Sequence, residues 1–157
     1  MRMNLLGPVD KLGHSTDTLL AIVTRKDKKI SRPGTKKVYN FIFNNKKPAE
    51  DLVPYWDYDA PNIPNEPRDA SAAACTASAL YELDGYLPGN HYKETADKIM
   101  ESLGSPAYRA EVGTNGNFIL MHSVGSIPHG QEIDVPLNYA DYYFLEGLMR
   151  KRDLEKK

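Results

Sequence analysis

Residues 68–83 read RDASAAACTASALYEL, and this stretch decides the fold class. Asp69 stands directly before an uninterrupted run of helix formers. There an acidic side chain accepts the free N–H groups of a first turn, so a helix is predicted from residue 70. Ala72, Ala73, Thr76, Ala79, Leu80 and Leu83 fall along one side of it at helical spacing. Side chains this small let neighbouring helices approach closely.

Residues 48–68 hold Pro48, Pro54, Pro61, Pro64 and Pro67, which leaves no room for a long helix. Before them, KKVYNFIFNNKK (residues 36–47) carries Val38, Phe41 and Ile42 at helical spacing, a short amphipathic helix. After the alanine-rich stretch, a second amphipathic helix is predicted over residues 91–103. Its apolar face is Tyr92, Ala96, Ile99, Met100 and Leu103, and Gly104-Ser105-Pro106 ends it. Phe118-Ile119-Leu120-Met121 is a short strand-like run, and HSVGSIPHGQEIDVP (residues 122–136) reads as a polar loop. A last helix is predicted from Asn138 through NYADYYFLEGLMRKR, with Tyr139, Tyr142, Tyr143, Leu145 and Leu148 as packing residues. Its terminal Lys/Arg cluster suits the helix dipole.

The 157 residues suffice for one domain with a real core, and 41% apolar with 26% charged residues is a globular composition. One cysteine, Cys75, excludes an internal disulfide and a CxxC site; among alanines it reads as a small buried hydrophobe. No 18-residue apolar run and no leader of signal-peptide type is visible, so no membrane span is expected. The net charge of −1 divides unevenly: nine Lys/Arg and three Asp over residues 1–37 make +6, eleven and eighteen over the remainder make −7.

Two segments carry a family resemblance. LVPYWDYDAPNIPNEPRDASAAACTASALYEL (residues 52–83) and FILMHSVGSIPHGQEIDVPLNYADYYFLEGLMR (residues 118–150) resemble the C-terminal half of the unsaturated glucuronyl hydrolases, glycoside hydrolase family 88. The resemblance implies an all-α fold, a partial (α/α)6 barrel of helical hairpins with proline-rich loops and the short strand-like segment. That domain is expected over residues 36–152, with residues 153–157 as a charged tail. The resemblance also implies an activity. The family removes the unsaturated uronic acid from lyase-generated oligosaccharides, without a cofactor. An aspartic acid protonates the C4=C5 double bond, water adds at C5, and the hemiketal collapses. The two aspartates central to that chemistry lie in the family's N-terminal half, and no segment here matches them, so this chain alone is expected to be inactive. A non-catalytic carbohydrate-binding or interaction module is the alternative. Uncovered faces of a partial toroid predict self-association.

Site residues follow from the same motifs. Trp56, Asp57 and Asp59 place two carboxylates beside an aromatic, as a sugar site would, although hydrogen bonds holding a proline-rich turn explain them better. Arg68 and Asp69 read as a helix cap with a neighbouring charge before an acid/base pair. Ser123 and Ser126 resemble the Ser-x-x-Ser element with which some family members hold a sulfate on the leaving sugar. The lysine two positions on is Pro128 here, which puts sulfate preference in doubt. His122 and His129 flank the serines; His122 joins them as a substrate-contact candidate, and no metal site is expected from the two. Asp134 reads as entry structure for the last helix.

Residues 1–35 lack period and cap logic, unlike everything after them. A basic arm is a nucleic-acid signature, but another reading fits better. Codons chosen for MRMNLLGPVDKLGHSTDT, residues 1–18, also encode YADESSWARGQAWALYGY in a displaced frame. Gly7 and Gly13 supply the GG of both Trp codons and Lys11 the AA of Gln. WARGQAW resembles a family motif upstream of PYWDYDAP whose Trp and Arg residues line the uronate pocket. The leader is therefore expected to be out-of-frame translation, with no nucleic-acid partner.

Overall fold

A computed structural model describes residues 39–40, 42–43 and 49–156; the leader and its frame-shift reading lie outside the described residues. Three helices dominate: α1 (Ala70–Tyr86), α2 (Tyr92–Gly104) and α3 (Asn138–Glu155). Between α2 and α3 the chain forms an antiparallel pair of strands, β1 (Ser123–Ser126) and β2 (Gln131–Val135). Among the described residues, no helix is long and apolar enough to cross a membrane.

α1 starts where the sequence predicts. Asp69 is extended (φ −119°) and takes the N-cap position, its carboxylate accepting from Ser71 N and Ala72 N. At the other end Pro88 and Gly89 turn the chain, Gly89 at φ +82°, a region that favours glycine. The burial of α1 differs from a single apolar side. Ala70, Ser71, Ala73 through Tyr81 and Leu83 are all buried, so the helix is enclosed nearly all round. Cys75 is among them. Such a helix needs neighbours on several flanks, and it has them: α2 lies along one and α3 along another, while α2 and α3 meet only slightly. α2 buries the predicted Tyr92, Ala96, Ile99, Met100 and Leu103.

α3 corrects the predicted packing residues. Tyr139, Tyr142, Leu145 and Leu148 are exposed, and the buried side is Ala140, Phe144 and Gly147. Tyr143 alone of the predicted set packs half-buried against the core. The reason is close approach. A Cβ on Gly147 would lie 3.2 Å from Met100 Sδ and 3.8 Å from Ser78 N, so all three helices converge on this glycine. α3 continues to Glu155, so the boundary expected at residue 152 falls inside a helix.

The strand-like segment is also displaced. Phe118–Met121 forms only an isolated bridge, Arg109 with Leu120, and both strands come from the polar stretch predicted as loop. Residues 131–134 are exposed, so the pairing rests on backbone hydrogen bonds with no apolar alternation to announce it.

A charged belt ties the helices together. Asp97 of α2 accepts from Tyr81 of α1 at 2.8 Å, from Lys93 at 2.7 Å, and pairs with Lys151 of α3 at 2.9 Å. Arg150 of α3 pairs with Glu82 of α1 at 2.6 Å and donates to Ser78 O at 2.8 Å. Partial burial pushes the Asp97 carboxyl up, but the hydrogen bonds from Lys151, Lys93 and Tyr81 outweigh it and hold the pKa at about 2. A depressed carboxylate stabilises the fold above its unfolded pKa, and that stabilisation is lost as pH falls through the folded value. Acid titration between about pH 4 and 2 is therefore expected to destabilise the protein. Asp97→Asn should cost about 1–2 kcal/mol at neutral pH, after discounting for solvent screening, and flatten that acid limb in urea melts.

Candidate functional site

The region formed by the proline-rich crossing, the start of α1 and the β1–β2 hairpin gathers most of the sequence-predicted site residues. Asp69 is its hinge pin. Oδ1 accepts from Ser71 N at 3.0 Å, Ser71 Oγ at 2.6 Å, Ala72 N at 3.2 Å and, from the hairpin, Val124 N at 3.4 Å. Ala70 N donates to His122 O at 2.9 Å, and Asp69 N to Pro54 O at 2.9 Å. One residue thus joins the crossing, the helix and the hairpin. Burial raises its carboxyl above the ordinary range, against those four donors. Tyr58 is pushed up by burial and, secondarily, by the Asp69 charge.

Arg68 points the other way. Its guanidinium pairs with Asp51 and donates to Val53 O from Nε at 3.1 Å. It also lies 4.7 Å over the Tyr55 ring. Tyr108 OH completes the group, donating to Asp51 Oδ2 at 2.7 Å. These contacts fasten the two ends of the crossing, where Tyr55 and Arg68 form a β-bridge. Within the crossing, Trp56 Nε1 donates to Glu66 at 2.8 Å, and Glu66 also accepts from Asn62 N at 3.0 Å. Asp57 accepts from Asp59 N at 2.7 Å. Trp56 and Asp57 are engaged in hydrogen bonds of their own loop, Asp59 contributing its backbone N–H, and Glu66 is the partner that the sequence pattern does not announce.

The structure separates Ser123 from Ser126. Ser123 is fully buried, and its Oγ has no hydrogen-bond partner among the described residues. Ser126 lies at the surface, its Oγ 2.6 Å from His129 Nδ1. His122 Nδ1 is 2.6 Å from Asp134 Oδ1. Asp134 is therefore no helix-entry residue. Ser123 pairs with Val135 and Val124 with Ile133, so Asp134 is the extra residue of a β-bulge. His122 (φ +62°) and Asp134 (φ +55°) both take the left-handed region, and their side chains close the base of the hairpin. Gly125 is required within it. A Cβ there would come 2.7 Å from Glu132 Cβ, because Glu132 lies across that position. Among the described residues no three His, Cys, Asp or Glu side chains gather as a metal site requires.

No family model matches the chain. Over 114 residues, 73% of this chain, it is 46% identical to an unsaturated glucuronyl hydrolase of Formosa agariphila. This chain is a relative of the unsaturated glucuronyl hydrolases. An unsaturated chondroitin disaccharide hydrolase of Streptococcus agalactiae is 34% identical over 120 residues. The chain spans 28% and 29% of the lengths of these two hydrolases. A crystal structure of an unsaturated glucuronyl hydrolase specific for heparin superposes at a TM-score of 0.85 with 40% identity, covering 91% of this chain and 40% of that one. A Streptococcus agalactiae unsaturated glucuronyl hydrolase variant, complexed with dGlcA-GalNAc6S, superposes at 0.76 with 30% identity, covering 88% and 38%. The enclosed α1 between α2 and α3 is accordingly part of the (α/α)6 barrel of the glucuronyl hydrolases, with the hairpin as its small sheet.

Proposed function

We propose that this chain is the leaving-sugar side of an unsaturated glucuronyl hydrolase toroid and that it does not turn substrate over by itself. The observation that carries this is the 46% identity confined to 28% of the relative's length. Ser126 and its neighbour His129 supply the surface polar groups for the sugar beyond the scissile bond. Ser123, His122 and Asp134 hold the hairpin that presents them. Pro128 stands where sulfate-holding family members carry a lysine, which favours contact with sugar hydroxyls over a sulfate.

No carboxyl described here suits the proton-donating step. A general acid must be protonated near neutral pH and open to its target carbon. Asp69 has a raised carboxyl, but Oδ1 is given to the helix cap and to Val124, a positioning arrangement; Glu82, also raised by burial, is paired with Arg150 at 2.6 Å between α1 and α3. Asp57 is turned into its own loop. The reaction of the whole toroid, protonation of C4=C5, addition of water at C5 and collapse of the hemiketal, draws its acid from outside these segments.

The assay follows the ultraviolet absorbance of the C4=C5 double bond of an unsaturated chondroitin disaccharide. With this chain alone the absorbance is expected to stay constant, whereas a full-length relative bleaches it. Turnover by this chain would overturn the proposal.

A further inference from the structure

Arg150 of α3 stands between two carboxylates. Its Nη2 lies 2.6 Å from Glu82 Oε2 of α1 and 3.3 Å from Glu146 Oε1 of its own helix, while Nη1 donates to Ser78 O at 2.8 Å. Glu146 also accepts from Ser78 Oγ at 2.5 Å and from Tyr142 OH at 3.5 Å. The guanidinium therefore makes no two-point fork with either acid, and one nitrogen serves both. The Glu82, Arg150 and Glu146 side chains are 22%, 24% and 25% exposed, so water screens them only in part. Among the described residues no second cation relieves them. Lys93 and Lys151 are taken by Asp97 of α2, and Arg152 by Asp153. The hairpin meets α1 at its first turn, where Ala70 N donates to His122 O, about three helical turns from Glu82. With both acids ionised, the seam carries one negative charge in excess.

We propose that this seam between α1 and α3 is a proton-binding site, in which Glu82 and Glu146 share one proton and acidification tightens the packing of α3 on α1. Two carboxylates on one site disfavour each other's ionisation. Burial raises the Glu82 carboxyl, Arg150 lowers it, Glu146 raises it again, and the net direction is upward. A carboxyl raised in the folded state adds stability as pH falls through its folded value, and the whole gain is present below its unfolded value. Asp97 runs the opposite way, at lower pH. This inference does not rest on the catalytic reading of the chain.

Urea melts of the full chain at several values between about pH 7.5 and 5, followed by helical circular dichroism, test it. The folding equilibrium constant of the parent chain is expected to rise about threefold or more on acidification across that range. Glutamine mimics the protonated acid and leaves one balanced ion pair with Arg150. Glu82→Gln and Glu146→Gln should each be at least as stable as the parent at the upper pH and lose most of the acid gain. Asp69, raised by burial as well, is unchanged in both variants, so its part cancels in the difference. The double variant leaves Arg150 without a carboxylate and should lose about tenfold or more. An ordinary structural salt bridge gives the reverse sign: a single variant weakened about tenfold at the upper pH overturns the proposal. So does a parent chain with no acid gain, or a gain that persists in both single variants.

Discussion

Gly147→Val is expected to destabilise the described region by about 2–3 kcal/mol. A first methyl at this position already meets Met100 at 3.2 and 3.3 Å, with Ser78 N at 3.8 Å behind it. Methionine is pliable enough to yield a few tenths of an ångström. Gly147→Ala should therefore be close to neutral, its helix-propensity gain of about 1 kcal/mol offset by that displacement. Valine adds two branches aimed between α1 and α2 and forces the helices apart. Urea denaturation of the two variants measures the difference. If valine unfolds within about 1 kcal/mol of alanine, the glycine does not set the spacing of the helices.

Asp69→Ala is expected to cost about 2–3 kcal/mol, combining a lost N-cap of about 1–2 kcal/mol with the released Val124 N–H. Asp69→Asn keeps an acceptor oxygen at the same reach and should retain most of the stability. What distinguishes Asp69 from an ordinary cap is the second effect. The Val124 amide, held at 3.4 Å by the same oxygen as the helix cap, should exchange its hydrogen markedly faster in the alanine variant. Unchanged exchange at Val124 would reduce Asp69 to a cap for α1 alone.

The sequence makes α1 and α2 readable because their signals are local: a capping carboxylate, a run of helix formers, an apolar face at one spacing. The faces of α3 are misread for a physical reason. Large apolar side chains look like the inward ones, yet the contact with α1 is so close that glycine, alanine and one phenylalanine fill it. The hairpin is hidden because three of its residues, His122, Glu132 and Asp134, adopt positive φ without being glycine. Such positions are imposed by the surrounding contacts, and no local pattern announces them. The serines illustrate the limit of a motif. Spacing brings Ser123 and Ser126 together on paper, while the bulged strand pairing sends one inward and leaves the other at the surface. Trp56 and Asp57 are readable as turn residues, but Glu66 is not, because a ten-residue return through exposed prolines brings it to the indole.

The enclosure of α1 also bears on how such a sequence can drift. A helix covered on nearly every side offers change few free positions: Ala73, Ala74, Ala77 and Ala79 are all buried. Variation must therefore be absorbed elsewhere, on the outer side of α3, the tip of the hairpin and the proline-rich crossing. The parts that can diverge are those at the surface, so they can change while the helical scaffold stays nearly fixed.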